Sequence, residues 1–272
     1  MSVLLIDYKW YHAVNDQQKL SDVLVSSADP KQQQQLAIEA DIIYSDAKGQ
    51  SVMGHPPQVD GELTLVSLLQ QVHQANFLTK DNILKLDFKS MKALKSSLHD
   101  VETYLKGIPP HLHRHVWVNA DILAGPGGKE GEDMQPKFDK VEFMNLLTSE
   151  TSLTKATTLS IGWTTSLSDS HAPYTLDMID EMLTLLRSYP RKNITFPCRA
   201  TSIRAGWDAL SRLYDNDVDE DREWTITLWW SLTSEQHKLT NDEMKWIHSR
   251  LELDEQSILK NRTYYDLVNF SP

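Results

Sequence analysis

The sequence predicts a single α/β domain of the (β/α)8 barrel class, and three features of its pattern predict it. Short runs rich in β-branched and aromatic residues recur eight times along the 272 residues. Segments with apolar residues at helical spacing separate them. Each strand-plus-helix repeat takes roughly 30 to 45 residues, the spacing of a parallel barrel rather than of two separate domains. A doubly wound open sheet is the alternative fold.

The eight runs are residues 8–13 (YKWYHA), 37–44 (AIEADIIY), 83–90 (ILKLDFKS), 116–123 (VWVNADIL), 158–165 (TLSIGWTT), 194–201 (ITFPCRAT), 224–231 (WTITLWWS) and 263–268 (TYYDLV). Between the second and third, Leu65, Leu68, Leu69 and Val72 form a helical stripe; between the fifth and sixth, Leu176, Ile179, Met182, Leu183 and Leu186 form another. After the seventh, Thr240 and Glu243 have the spacing of a capping box, and Leu239 and Met244 that of a hydrophobic staple. Few residues follow the last run, so the eighth helix of an ideal barrel is expected to be missing. There is no internal repeat and no Pro-, Gly- or Ser-rich linker, which makes residues 1–272 one domain.

With 40% apolar and 24% charged residues, the chain can bury a large core. A net charge of −11 repels long polyanions and argues against a binder of long double-stranded nucleic acid. The one cysteine, Cys198, permits no intrachain disulfide; its parity on the sixth run is outward, which suits a small buried side chain. The first residues have neither the basic nor the apolar stretch of a signal peptide, and no window approaches a membrane span. A cytoplasmic protein is expected, with the sequons at Asn193 and Asn261 accidental.

Polar residues collect at the carboxyl ends of apolar strands, the end where parallel barrels carry their active sites. Glu39 and Asp41 share one side of the second strand, and Asp87 has the matching parity on the third, beside Lys85 and Lys89. Adjacent strands lie about 4.8 Å apart, so these three carboxylates can converge on one cation. Oxygen-only ligands favour Mg²⁺ or Ca²⁺. The same acids paired with Lys85 and Lys89 would be structural ion pairs, and the residues alone leave both readings open. His12 at the end of the first strand and His55 in the loop after the second suit a general base or nucleophile and a general acid beside such a metal, whereas a single strand-end histidine would more often be structural.

Further along, Asn119 and Asp121 end the fourth strand with inward parity, placed either to orient a substrate or to plug the barrel. Trp163, Arg199 and Trp229 end the fifth, sixth and seventh strands, where an aromatic wall with a guanidinium suits a phosphate bearing an organic body. Asp266 ends the eighth strand. His111, His113 and His115 look like a metal cluster but precede the fourth strand, at the opposite and stabilising end. Gly125, Gly127, Gly128 and Lys129 lack the spacing of a phosphate loop, since Glu130 stands where Ser or Thr is required; a mobile loop is expected there instead.

These residues also carry a resemblance. His12-Ala13-Val14-Asn15, Ile38-Glu39-Ala40-Asp41, Gly54-His55-Pro56-Pro57, Leu86-Asp87-Phe88-Lys89, Val118-Asn119-Ala120-Asp121-Ile122-Leu123, Gly162-Trp163-Thr164-Thr165 and Thr195-Phe196-Pro197-Cys198-Arg199 together resemble the menorin family, over residues 8 to 268. That family looks like a branch of the phospholipase-C-like phosphodiesterase barrels, which include glycerophosphodiesterases and sphingomyelinases D. The resemblance implies a metal-dependent phosphodiesterase, with His12 and His55 as acid and base and Glu39, Asp41 and Asp87 as Mg²⁺ ligands. Lys89 would be a phosphate contact. From the reading of the strand ends, Lys85, Asn119, Asp121, Trp163, Arg199 and Trp229 are expected to form the rest of the substrate site. His12 is not followed by the Arg-Gly of glycerophosphodiesterases, and His55 is followed by two prolines rather than aspartate. The expected substrate is a small or end-bound phosphodiester, derived from lipid or from an RNA end. A non-catalytic binding or scaffold protein on the same barrel is the alternative.

Overall fold

In this computed structural model the chain is described over residues 8–127, 136–149, 152–166, 169–191, 193–214, 223–230, 239–253 and 259–267. Strands and helices alternate in the order β1 (Lys9–Tyr11), α1 (Gln17–Ala28), β2 (Leu36–Ser45), β3 (Gln50–Met53), α2 (Leu65–Gln74), β4 (Ile83–Phe88), α3 (Met91–Lys106), β5 (Val116–Leu123) and α4 (Lys140–Thr148). They continue as β6 (Thr158–Trp163), α5 (Leu176–Ser188), β7 (Asn193–Arg199), α6 (Ala200–Ile203), α7 (Trp207–Leu210), β8 (Glu223–Trp229), α8 (Asn241–His248) and β9 (Thr263–Asp266). The strand order is β1-β2-β4-β5-β6-β7-β8-β9, with β3 paired to β2. Parallel pairing of β1 with β2, β2 with β4, β4 with β5, β7 with β8 and β8 with β9 makes this an α/β fold of the (β/α)8 type.

By internal packing the chain divides into two compact units. One is built from Tyr8–Ala120 and Lys137–Ser160, and the other includes the end of β5 from Asp121 and the chain from Ile161 onward. In the first unit the stripe Leu65, Leu68, Leu69 and Val72 is buried, and Thr64 caps α2 by accepting from the backbone N–H of Ser67. In the second, Ile179, Met182 and Leu186 of α5 are buried while Leu176 is exposed, and the Thr240–Glu243 capping box closes the first turn of α8. The segment after β9 is outside the described residues beyond Leu267, as are Gly128, Lys129 and Glu130 of the expected loop. Among the described residues no helix is long and apolar enough to cross a membrane.

The eight expected strands all form, and β3 is additional. It returns antiparallel to β2 through a tight turn closed by Gly49, whose φ of 64° is the left-handed region that glycine reaches without steric cost. Its Ser51, Val52 and Met53 are all buried, so it shows none of the alternation by which a half-exposed strand is recognised. The hydroxyl of Ser51 takes part in a cluster with Ser96, Ser97 and the Ala93 carbonyl, which ties β3 to α3.

The histidine cluster lies in a 3-10 turn, Pro110–His115, at the amino-terminal end of β5. His113 Nε2 pairs with the Leu105 carbonyl, a structural use. His115 is held down to about 4, by burial first and by the charge of Arg114 second. Because this folded value lies below the ordinary 6.5, the unfolded chain takes up a proton that the folded chain refuses. Stability is therefore complete above about pH 6.5 and declines as the pH falls toward about 4, by an amount on the order of 3 kcal/mol for the full shift. His115→Gln should flatten that part of the profile in urea unfolding measured across the window. Parallel profiles for the two proteins would show that His115 is not its source.

Candidate functional site

The parallel register of the first unit sets side chains in rows. Glu39 of β2 lies opposite Lys85 of β4, and Asp41 lies opposite Asp87, which in turn lies opposite Asn119 of β5. Alternation along each strand puts both rows on the same face, one layer above the other. Trp117, opposite Lys85 on β5, packs against Trp10 at a centroid distance of 5.7 Å, and the Lys85 ammonium lies 5.9 Å from the Trp10 ring. Four acidic and basic groups are thus placed by pairing alone, before any side-chain rotamer is chosen.

The charges resolve into two linked clusters. In the lower row Lys85 Nζ donates to Glu39 Oε1 at 2.7 Å, and the Lys85 side chain is only 5% exposed. Burial opposes ionisation of Glu39, but Lys85 and His12 outweigh it and hold the carboxyl well below the usual range. In the upper row Lys89, which follows β4, places its ammonium between Asp41 Oδ1 at 2.7 Å and Asp87 Oδ2 at 2.6 Å. Burial would lower the pKa of Lys89, yet Asp87 and Asp41 raise it above the ordinary lysine value, so it remains a cation. Three carboxylates face two ammonium groups, which leaves one negative charge in excess within this set.

His12 follows β1 and pairs through Nδ1 with Glu39 Oε2 at 2.9 Å. With Nδ1 as donor, this pairing sets the tautomer whose lone pair is on Nε2. The turn that brings it there passes through Ala13 at φ 48°, a left-handed conformation costly for a residue with a Cβ. The turn is held by the Val14 N–H, which donates to the Glu39 carbonyl at 2.9 Å. It also delivers Asn15, whose amide donates to Asp41 Oδ2 at 2.8 Å and accepts from the Asp41 backbone N–H at 2.9 Å. Asn15 therefore locks Asp41 at two points. On the far side Asn119 donates to Asp87 Oδ1 at 2.7 Å and accepts from the buried Ser160 hydroxyl of β6 at 2.5 Å.

His12, Glu39, Asp41, Lys85, Asp87, Lys89 and Asn119 are thus brought together in one unit, but not all in the roles their positions suggested. Lys85 and Asn119 are buried and saturated by side-chain partners; they are supports of the acids rather than groups open to substrate. His55 is exposed, and its ring Nδ1 pairs with the Pro56 carbonyl in its own loop, while Gly54 before it donates to the Asp41 carbonyl. Asn15 and Ser160 were missed as site residues. The His12-Ala13-Val14-Asn15 motif was the available signal for Asn15; Ser160 looks like any strand serine.

The remaining residues belong to the second unit. Asp121 at the end of β5 is exposed, and Trp229 at the end of β8 is half-buried, opposite Arg199 and Asp266 in register. Trp163 has the parity opposite to Ser160 on β6. It is buried against Tyr174 and Phe196 and its indole N–H reaches the Met178 carbonyl of α5, so it packs toward the helices instead of walling a substrate site. Arg199 is buried too: its guanidinium donates to the carbonyls of Ser166 at 2.6 Å and Asp169 at 2.7 Å and to the Ser202 hydroxyl. A guanidinium so committed clamps the loop after β6 and is not presented to a phosphate. Cys198 is buried with a thiol pushed up by burial.

A (β/α)8 fold with acids, lysines and a histidine at the carboxyl ends of its first strands defines a phospholipase-C-like barrel. The Menorin N-terminal domain matches residues 5–270, and the chain belongs to the menorin family. It is similar to Protein FAM151B of Homo sapiens, 28% identical over 265 residues, an alignment covering 95% of this chain and 82% of that protein. No solved structure matches it significantly.

The barrel class implies a divalent cation, and the donor set fits one. Glu39, Asp41 and Asp87 supply only hard oxygen, the chemistry that Mg²⁺ and Ca²⁺ select. The Lys89 ammonium, within 2.7 Å of both Asp41 and Asp87, occupies the space between those two carboxylates, so a cation held there would displace it. His12 and Glu39, but neither Asp41 nor Asp87, belong to a group of ligand-type side chains close enough together to hold a metal ion among the described residues. Fold and ligand chemistry together support metal-dependent, phosphodiesterase-like chemistry in general terms. The energetic cost of the cluster is open to measurement: Lys85→Met should destabilise the protein by about 3 kcal/mol, because it strands the buried Glu39 carboxylate. Adding Glu39→Gln should recover part of that loss in urea unfolding. If the double variant is as unstable as the sum of the two single ones, Lys85 and Glu39 do not act as a pair.

Proposed function

We propose that this protein is a metal-dependent phosphodiesterase acting on a small or end-bound phosphodiester, such as a glycerophosphodiester, a lysophospholipid or an RNA end. The observation that carries the reading is the Lys89 ammonium seated between Asp41 and Asp87, one layer above the His12–Glu39–Lys85 cluster. Glu39, Asp41 and Asp87 would hold Mg²⁺ or Ca²⁺. When bound, such a cation neutralises charge on phosphoryl oxygens.

The chain's own residues supply the proton transfers. His12, oriented by Glu39 through Nδ1, takes or gives a proton at Nε2, and Glu39 stabilises the imidazolium that forms. His55, exposed on its loop, is the second proton-transfer group, brought to the leaving group by substrate binding. Lys89, whose side chain is 20% exposed, is the cation of the cluster within reach of a phosphate. Where a hydroxyl neighbours the phosphate, that hydroxyl loses its proton to the base and attacks phosphorus, the P–O bond to the other ester group breaks as that group leaves with a proton from the acid, and a cyclic phosphate is the first product; otherwise water attacks and the same bond breaks. The net charge of −11 favours small or end-bound substrates over long polyanions, and a chain with one buried cysteine suits a reducing, cytoplasmic setting.

One observation favours a rival: each oxygen of Asp41, Asp87 and Glu39 already accepts from a protein donor, as in a purely structural network on a non-catalytic binding barrel. Turnover of a phosphodiester panel with and without a chelator separates the two. The enzyme reading expects Mg²⁺- or Ca²⁺-dependent turnover abolished by EDTA, and the absence of any turnover across the panel would favour the rival.

Two variants probe the proton transfers. His12→Asn should lower turnover by a factor on the order of 10² to 10⁴ while the thermal midpoint stays near that of the parent. The His12→Asn/His55→Asn double variant should be little worse than the worse single one, since the two groups serve one proton-transfer sequence. Unaltered turnover in His12→Asn would end this mechanism.

A further inference from the structure

We infer that Ser160 is a positioning residue of this site, acting through Asn119 on Asp87; the inference rests on the cation-binding reading of Glu39, Asp41 and Asp87. Ser160 lies on β6, two strands from Asp87, and nothing in its local sequence separates it from a core serine. Its hydroxyl is fully buried and donates to Asn119 Oδ1 at 2.5 Å, and Asn119 Nδ2 donates to Asp87 Oδ1 at 2.7 Å. Asp87 Oδ2 then meets the Lys89 ammonium at 2.6 Å, and Lys89 meets Asp41 at 2.7 Å. A continuous line of hydrogen bonds therefore crosses β6, β5, β4 and β2 and ends at Asn15.

The direction of that line is fixed chemically. A primary amide has an accepting end and a donating end, and only one orientation of Asn119 presents its NH₂ to a carboxylate. The Ser160 O–H takes the other end, so the flipped amide would lose that bond and would also turn its oxygen against the Asp87 carboxylate. By engaging Oδ1 of Asp87, the amide directs the Oδ2 edge toward Lys89 and the shared space next to Asp41. Without the hydroxyl, a buried amide oxygen is left unsatisfied, and Asn119 is held by one bond in place of two. Hydrogen-bond partners of ligating carboxylates typically change metal affinity 10- to 100-fold when removed. Ser160 stands one bond farther out, so an effect of about tenfold is expected.

The test is a titration of the full chain with Mn²⁺, followed by electron paramagnetic resonance and calorimetry, which reads affinity with no recourse to turnover. The parent should bind, and Ser160→Ala should bind about tenfold more weakly. Ser97→Ala is the control, because it removes an equally buried hydroxyl from the Ser51 cluster behind β3, off the line. It should lower the thermal midpoint and leave Mn²⁺ affinity at the parent value. Ser160→Cys, which keeps the volume and a weak donor, should fall between parent and Ser160→Ala, and it carries the test alone if Ser160→Ala does not fold. Parent-like affinity in the folded Ser160 variants overturns the positioning role and leaves the cation reading standing. A parent chain that binds no Mn²⁺ overturns the cation reading and the positioning role with it.

Discussion

The parallel register of β2 with β4 and β5 is the constraint from which the site follows. It sets Glu39 against Lys85 and Asp41 against Asp87 and Asn119, at distances fixed by strand spacing. Placing carboxylates opposite one another on one face of a sheet is unfavourable unless cations intervene, and Lys85 on β4 and Lys89 just after it, each two residues from Asp87, supply them. Shifting β4 by one residue would turn Lys85 and Asp87 to the helix side and bring Leu84, Leu86 and Phe88 to the polar face, so the apolar helix-facing residues hold the register that the charges need.

Burial then determines what each charge can do. Lys85, deep in the lower row, is confined to neutralising Glu39, whereas Lys89 in the upper row shares its charge between two acids and retains some exposure. A buried charge without a partner would cost several kcal/mol, so neither acid nor base in this cluster is replaceable by itself. The same logic separates Arg199 from the site: its donors are committed to two backbone carbonyls and a hydroxyl in the second unit, where it secures the loop after β6.

Neutral anchors complete the arrangement. Asn15 grips Asp41 from the turn after β1, and Asn119 with Ser160 grips Asp87 from β5 and β6. Amides and hydroxyls add direction with no added charge, so they orient the acids and leave the balance between carboxylates and ammonium groups unchanged. The left-handed Ala13 is part of this cost: a strained turn is retained where it aims both His12 and Asn15 at the acids.

Local pattern was enough to determine the (β/α)8 class, the eight parallel strands, the buried stripes of α2 and α5, the Thr240–Glu243 cap and the gathering of His12, Glu39, Asp41, Asp87 and Lys89. Each of these depends on periodicity or on spacing within one strand or helix, which the order of residues states directly. Tertiary structure decided the rest. Trp163 was expected at a substrate wall, but its parity against Ser160 turns it toward α5; Lys85 and Asn119 were expected to meet substrate, but depth and partners made them supports. The hairpin strand β3 escaped notice because it is buried on both faces and does not alternate. Asn15 and Ser160 acquire meaning only through residues 26 and 41 positions away along the chain. Which side chains meet across strands is set by register and burial, and these are properties of the assembled sheet that no single segment encodes.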